Sequence, residues 1–429
     1  MRYSTLASWI ALAAFTGASA HALAGVVRTP GDQDLIVDAG SGGLDVTTED
    51  ERFSFGVHGR VQADYDSFDG IYTDNGKTGD EAEFRRVYLT VKGKAFGDWG
   101  YNVTTKLDNS DNDFDNATIF YAGASPATVT FGIFDPDFGL EKATSSKWVT
   151  ATERNIGYDV APWINGSDQD LGLQIQSNLA DSIYASASLV SRDGLDDVNG
   201  KAPKQFNARA VYAPFHTAGN VLHFGIDYAY RDLGDVDFGD NIDTGLGVHG
   251  DAGDNDYDPV LTRIAPGTHY GDDSVLGAEF AWASGPFSLQ GEYLHRELSG
   301  DDAGYDDVKS DGMYGQVAWT LTGESRNYKF DGARFDAIKP ENPSLGAWEL
   351  FYRYGRVSSD SAVIVNDIPS GAVDGENKAY VQTLGVNWYA NNSVKVSLNY
   401  NHARVDSALE NANGDDSGDA IMTRLQYVF

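Results

Sequence analysis

Two arginines stand side by side at Arg85 and Arg86, in the stretch Phe84-Arg85-Arg86-Val-Tyr88, of a chain that is poor in cations. A second group, Lys142, Lys147 and Arg154, lies between Asp137 and Arg154. Guanidinium binds phosphate oxygens bidentately and lysine adds a point charge, so these residues facing each other would hold an anion. The bland alternative is that they pair with Asp137, Glu141 and Glu153 and only fix the local fold, since buried charges are usually paired. No other constellation carries chemistry. His58, His216, His223, His249, His269, His295 and His402 are scattered, and no motif joins one to a nucleophile. Asp251 to Asp256 lacks the spacing and terminal Glu of a calcium loop, so the Asp-rich stretches read as solvated anionic loops. Neither a metal nor a cofactor is expected.

The elements that must position these cations are strands. Val87, Leu89 and Val91 alternate with Arg86, Tyr88, Thr90 and Lys92. By that parity Arg86 and Tyr88 share the polar face, and Arg85 joins them only if the strand bends there. The C-terminus repeats the pattern: Ile421, Thr423, Leu425, Tyr427 and Phe429 on one face, Met422, Arg424, Gln426 and Val428 on the other. About sixteen such segments begin near Phe53, Glu83, Trp99, Asn116, Ala127, Asp170, Ser182, Lys204, Val221, Asp273, Phe287, Ser310, Gly346, Tyr380, Ser393 and Ala420. Tight connections such as Ala124-Ser125-Pro126 alternate with long ones at 135–167, 234–272 and 359–379. Tyrosine and tryptophan recur at segment ends, as in Trp388-Tyr389.

Short turns on one side, long loops on the other and aromatic ends predict an all-β fold, a transmembrane antiparallel β-barrel of about 16 strands. The last strand, ending at Phe429, should close on the first to hide its edge. No stretch approaches the ~18 apolar residues of a membrane helix, but a barrel strand needs only ~10 alternating ones. The start of the chain, Arg2 followed by an apolar run and small residues at Ala22 and Ala24, reads as a signal peptide over 1–24, cut before Gly25. Residues 25–52 read as a leader with a small periplasmic hairpin, and 53–429 as the barrel. Cysteine is absent, which excludes disulfides and thiol chemistry, and the net charge is −33.

At these residues the chain resembles the phosphate- and polyphosphate-selective porins of Gram-negative outer membranes. The matching stretches include Gly59 to Tyr65, Phe84 to Leu89, Asp137 to Thr150, Glu153 to Asn155, Gly346 to Tyr354 and Leu384 to Ala390. The resemblance implies an outer-membrane homotrimer and a passive channel narrowed by a loop folded inward after the fifth strand. It implies a central anion site at Arg85, Arg86, Lys142, Arg154 and Asp115, with Arg60 on the wall and Tyr88 and Asp135 shaping the narrowest point. Lys329, Arg334 and Lys339 fit the periplasmic exit. Phosphate, polyphosphate or other small anions are the implied solutes, outer-membrane lipid the surroundings, and the barrel-assembly machinery the reader of Phe429; nucleic acid is not a partner.

The departures are on the outside. The family's arginine ladder before the tenth strand corresponds to Asp240 to His249, which has no arginine, and leader lysines are replaced at Ala39, Ser41, Glu51 and Gly56. The leading expectation is an anion porin whose central site is intact. The alternative is a general or weakly cation-leaning diffusion porin.

Overall fold

The computed structural model describes residues 23–27, 34–40, 42–73, 78–108, 114–165, 171–191, 204–233, 241–249, 259–264, 270–300, 307–360, 363–365, 368–369, 375–408 and 414–429. Most of the expected signal peptide, and Asp240 with most of the acidic 234–272 stretch, lie outside them.

Sixteen strands follow one another around a barrel, each antiparallel to the next. They are β1 (Ser54–Asp69), β2 (Thr78–Ala95), β3 (Trp99–Lys106), β4 (Phe114–Ala124), β5 (Ala127–Ile133) and β6 (Leu171–Ala180). Next come β7 (Ile183–Ser191), β8 (Lys204–Thr217), β9 (Asn220–Asp232), β10 (Asp272–Ser284) and β11 (Phe287–Ser299). The circuit finishes with β12 (Val308–Thr320), β13 (Ala347–Asp360), β14 (Glu376–Tyr389), β15 (Val394–Ser407) and β16 (Ser417–Val428). The last strand returns to the first in register from Ala420↔Phe68 to Val428↔Arg60. Beyond it, Phe429 and Gly59 exchange backbone hydrogen bonds at 2.6 and 3.0 Å. No edge is left open along the seam, so every backbone group there is satisfied within the sheet, as lipid requires.

The burial pattern is inverted relative to a soluble protein. On β16, Ile421 and Leu425 are 50% and 54% exposed, while Arg424 and Gln426 are 4% and 2% exposed. The apolar face is turned out to lipid and the polar face in. Exposed Trp99, Trp282, Trp319 and Trp348 gather toward the end with short turns, and exposed Tyr228, Tyr293 and Tyr400 toward the end with long loops. These are the two interfacial girdles.

At the short-turn end three small strands, Leu23–Val27, Leu35–Gly40 and Gly43–Thr48, continue the sheet from the start of β1. The tip of this hairpin meets the His58 ring, which contacts the Gly42 carbonyl and lies 3.1 Å from Asp45 Oδ1.

Two connections fill part of the interior. Residues 134–165, between β5 and β6, contain the α-helical turn α1 (Leu140–Ala143) and two 3-10 turns, Ile156–Val160 and Pro162–Asn165. Residues 321–346, between β12 and β13, carry a hairpin of Arg326–Lys329 against Arg334–Ile338. Although it leaves from the short-turn end, this hairpin buries Tyr328, Ala333 and Phe335 against Leu140 and the inner walls at Tyr184, Val211 and Val221.

Candidate functional site

The bend that Arg85 needs is a β-bulge. Gln62 pairs with Arg86 and Asp64 with Glu83, so Phe84 and Arg85 together face the single residue Ala63. The extra residue resets the alternation. Phe84 is exposed to the outside, and both arginines turn inward.

Inside, the two arginines are bound. Arg85 donates through Nε and Nη2 to the two Glu153 carboxylate oxygens at 2.9 and 3.1 Å. Arg86 lies 3.7 Å from the same carboxylate. Arg424 donates to it at 2.6 Å and also to both oxygens of Asp64. Burial opposes ionisation of Glu153, but Arg424, Arg85 and Arg86 outweigh it and hold the carboxyl well below the ordinary range. Glu141 is likewise taken by Arg353 at 3.1 Å, and Asp137 by Arg209 at 3.1 Å. For Arg85 and Arg86 the pairing alternative therefore describes the geometry.

The other expected cations are different. Among the described residues none of Arg60, Lys142 and Arg154 makes an ion pair, and the same holds for Lys92 and Lys147. Lys142 Nζ sits 5.4 Å from the centre of the Tyr158 ring. Arg154 donates to the Lys142 and Thr144 carbonyls at 3.4 and 3.2 Å, and its Nε has no acceptor. Arg60 lies over the Tyr88 ring at 4.2 Å and donates to Ser146 Oγ at 2.5 Å; its Nε is buried without a partner.

Below this point Arg60, Tyr88, Lys92, Asp115, Ser145 and Lys147 line a cavity of about 270 Å³. Burial, then repulsion from Arg154, pushes the Lys142 amine down to about 8. Lys147 falls to about 8 as well, from burial and from Arg60 and Lys92. Asp135, open to lumen water but walled round by protein, rises to about 6 through desolvation and the nearby Asp115.

Charge is graded along β1 and β2. Toward the long loops, Asp64, Asp66, Glu81 and Glu83 share the inward face, with His249 Nδ1 2.6 Å from Glu83. Toward the short turns the same face carries Arg60 and Lys92. The expected exit residues Lys329, Arg334 and Lys339 lie on or beside the interior hairpin, and Lys329 is paired with Asp336 at 2.5 Å.

Sequence reasoning counted Lys147 among the loop cations but left Lys92 out of the site. Lys92 was legible, because it shares the parity of Arg86, Tyr88 and Thr90. The placement of Lys147 beside Arg60 was not, because its segment is not a strand. Neither were the donors that hold that segment. Gln426, Arg326, Lys395, Asn387, Arg424 and Arg353 each donate to a backbone carbonyl, in turn those of Lys147, Trp148, Val149, Thr150, Thr152 and Glu153. Buried carbonyls need such partners when no strand supplies them.

Comparison with known proteins agrees with this architecture. A family model described as phosphate-selective porin O and P matches residues 55–429. Porin O of Pseudomonas aeruginosa is 50% identical over 435 residues, covering 98% of each chain. Among solved structures, an anion-selective porin from Comamonas acidovorans aligns with a TM-score of 0.54 at 13% identity, covering 88% of this chain and all of that one. OmpT, an outer membrane protein of Vibrio cholerae, aligns with a TM-score of 0.53 at 10% identity, covering 88% and 98%. These two share the fold. With the matched model spanning nearly the whole barrel and half of all residues identical to a relative of the same length, the chain belongs to the phosphate-selective porin O and P family.

Proposed function

We propose a passive channel for phosphate-class anions whose working filter is Lys142, Arg154, Arg60, Lys147 and Lys92, with Arg85 and Arg86 holding the loop that carries part of it. One observation carries this reading. Buried Arg209, Arg231, Arg296, Arg353 and Arg424 have carboxylate partners and buried Arg326 and Lys395 donate to loop carbonyls, whereas these five cations have no carboxylate partner among the described residues and the Nε of both Arg60 and Arg154 is left without an acceptor. A charge left unpaired in a narrow lumen is costly unless a mobile counter-ion visits it. Residues 134–165 would then be the element that narrows the water path. The anion must bind well enough to enter and weakly enough to leave.

A homotrimer belongs to the same reading; OmpT of Vibrio cholerae was solved in a trimer form. So do cleavage of residues 1–24, a periplasmic leader over 25–52, and recognition of Phe429 by the assembly machinery. A mature N-terminus at Gly25 and a trimeric mass in detergent are the expected measurements.

The inward carboxylates near the long loops favour a second reading, a general channel that leans toward cations. Reversal potentials across a planar bilayer in a salt gradient, with and without phosphate, separate the two. Anion selectivity in 1 M salt, with chloride current reduced by added phosphate, supports the first. Cation selectivity at that salt, where distant charges are screened, supports the second.

A further inference from the structure

Lysine and arginine are unevenly placed on the outside of the barrel. Among the described residues the outward face of β1 to β6 carries neither. The later strands carry Lys204, Lys309, Arg356, Lys378 and Arg404, and the last three lie together on adjacent β13, β14 and β15. Arg356 pairs across the strands with Tyr380, and Tyr380 with Arg404, so one ring stands between two guanidinium groups. Lys378 is the next outward position toward the long loops. These side chains alternate with buried Val357, Ala379 and Val405, which face the interior.

Neighbouring acids tether the cations without saturating them. Arg356 and Lys378 share Glu376, at 3.2 and 2.6 Å, and Arg404 meets Asp406 at 2.9 Å. Asp360 accepts the Lys309 backbone N–H. Arg356 Nε has no acceptor, and the Arg404 side chain is 65% exposed. Exposed pairs of this kind are weak, and guanidinium has donors to spare for phosphate oxygens. Toward the short turns the same strands expose Leu350, Tyr352, Leu384 and Leu398. Cations above and apolar side chains below match the two halves of a lipid. A soluble anion makes no use of the apolar half, and a protein partner would bury the charges where interfaces are depleted of them.

We propose that Arg356, Lys378 and Arg404, grouped around Tyr380, form a headgroup site for a phosphorylated glycolipid of the outer leaflet. Its phosphates lie on the cations and its acyl chains along the leucines. The long loops mark this end as the exterior one.

The test is native mass spectrometry of the detergent-purified channel, titrated with diphosphoryl lipid A or with the same glycolipid stripped of its phosphates, in EDTA. The wild type should bind the phosphorylated form about tenfold more tightly, the size of one or two headgroup cations. A triple variant, Arg356→Gln with Lys378→Gln and Arg404→Gln, should lose that preference. Arg404→Gln alone, a change at an exposed side chain, should reduce it about threefold, and Lys309→Gln, outside the cluster, should keep it. Equal binding of the two glycolipids by the wild type, or a preference unchanged in both cluster variants, overturns the proposal. Binding that appears only when Mg²⁺ replaces EDTA means that carboxylates hold the lipid through a metal, and overturns it too. Displacement by equimolar inorganic phosphate would make this a site for the free ion, and a cluster variant that folds with an altered oligomeric mass would make it a contact between copies. Either result overturns the proposal.

Discussion

Three guanidinium groups converge on Glu153, and that convergence sets these paired charges apart from the unpaired cations of the proposed filter. Removing the carboxylate would leave Arg85, Arg86 and Arg424 facing each other with only Asp64 to offset them. Breaking such a buried group from one side costs about 3–5 kcal/mol. Glu153→Gln should therefore lower the unfolding temperature markedly, as read by the heat at which the folded band is lost on gels. The free lysines make a different prediction. With both amines near 8, Lys142 and Lys147 are about nine-tenths charged at pH 7 and about one-tenth charged at pH 9. A lysine is cationic below its pKa, so anion selectivity should fall as pH rises through that window. Lys142→Arg should keep more of it at pH 9, and Lys142→Glu should weaken or reverse it at pH 7. Reversal potentials at the two pH values check both.

Among the elements, the seam between β1 and β16 is the most constrained. A Cβ on Gly59 would lie 2.3 Å from the Phe429 ring, too close for any real contact. The terminal aromatic covers a backbone that only glycine leaves bare. Gly59→Val should cut the yield of folded barrel severalfold, and Phe429→Ala in the same chain should restore part of it. Pulse-labelled assembly measures this.

Strands were legible because lipid outside and water inside impose a period of two on every segment. All sixteen expected starts fall within five residues of those observed. The largest offset, Glu83 against Thr78, sits where the bulge at Phe84 and Arg85 interrupts the alternation. The interior connections were not legible. The segment 147–153 is held by side chains from strands hundreds of residues away, and the 326–338 hairpin is folded inward by Arg209, which donates to the Gly332 and Ala333 carbonyls. Such contacts leave no local period. The arginine pair was visible for the same reason the strands were, but its partner Glu153 could be assigned only once the loop was seen.

At the scale of the whole molecule, the chain is an outer-membrane channel of the porin family and not an enzyme. Its overall charge of −33 says little about which ion passes. Loop charges in water are screened beyond ~8 Å at physiological salt, whereas the cations of the proposed filter would act at close range. Modest anion selectivity that increases with ionic strength is the expected result, measured as reversal potential from 0.1 to 1 M salt.

The grading of charge along β1 and β2 has an electrical consequence. Carboxylates near the long loops followed by Arg60, Lys92 and Lys147 near the short turns make two oppositely doped halves in series. A voltage positive on the long-loop side drives cations in through the acidic half and anions in through the basic half, so carriers accumulate where the halves meet. The reverse voltage pulls both away and empties that zone. The pore should therefore rectify, carrying more current when the long-loop side, the cell exterior, is positive. At 0.1 M salt the current–voltage curve of a single oriented channel should be asymmetric. At 1 M, where the screening length shrinks to ~3 Å, it should straighten. Replacing Lys92 and Lys147 with glutamine should flatten it at low salt too, leaving an ordinary resistor where a diode had been.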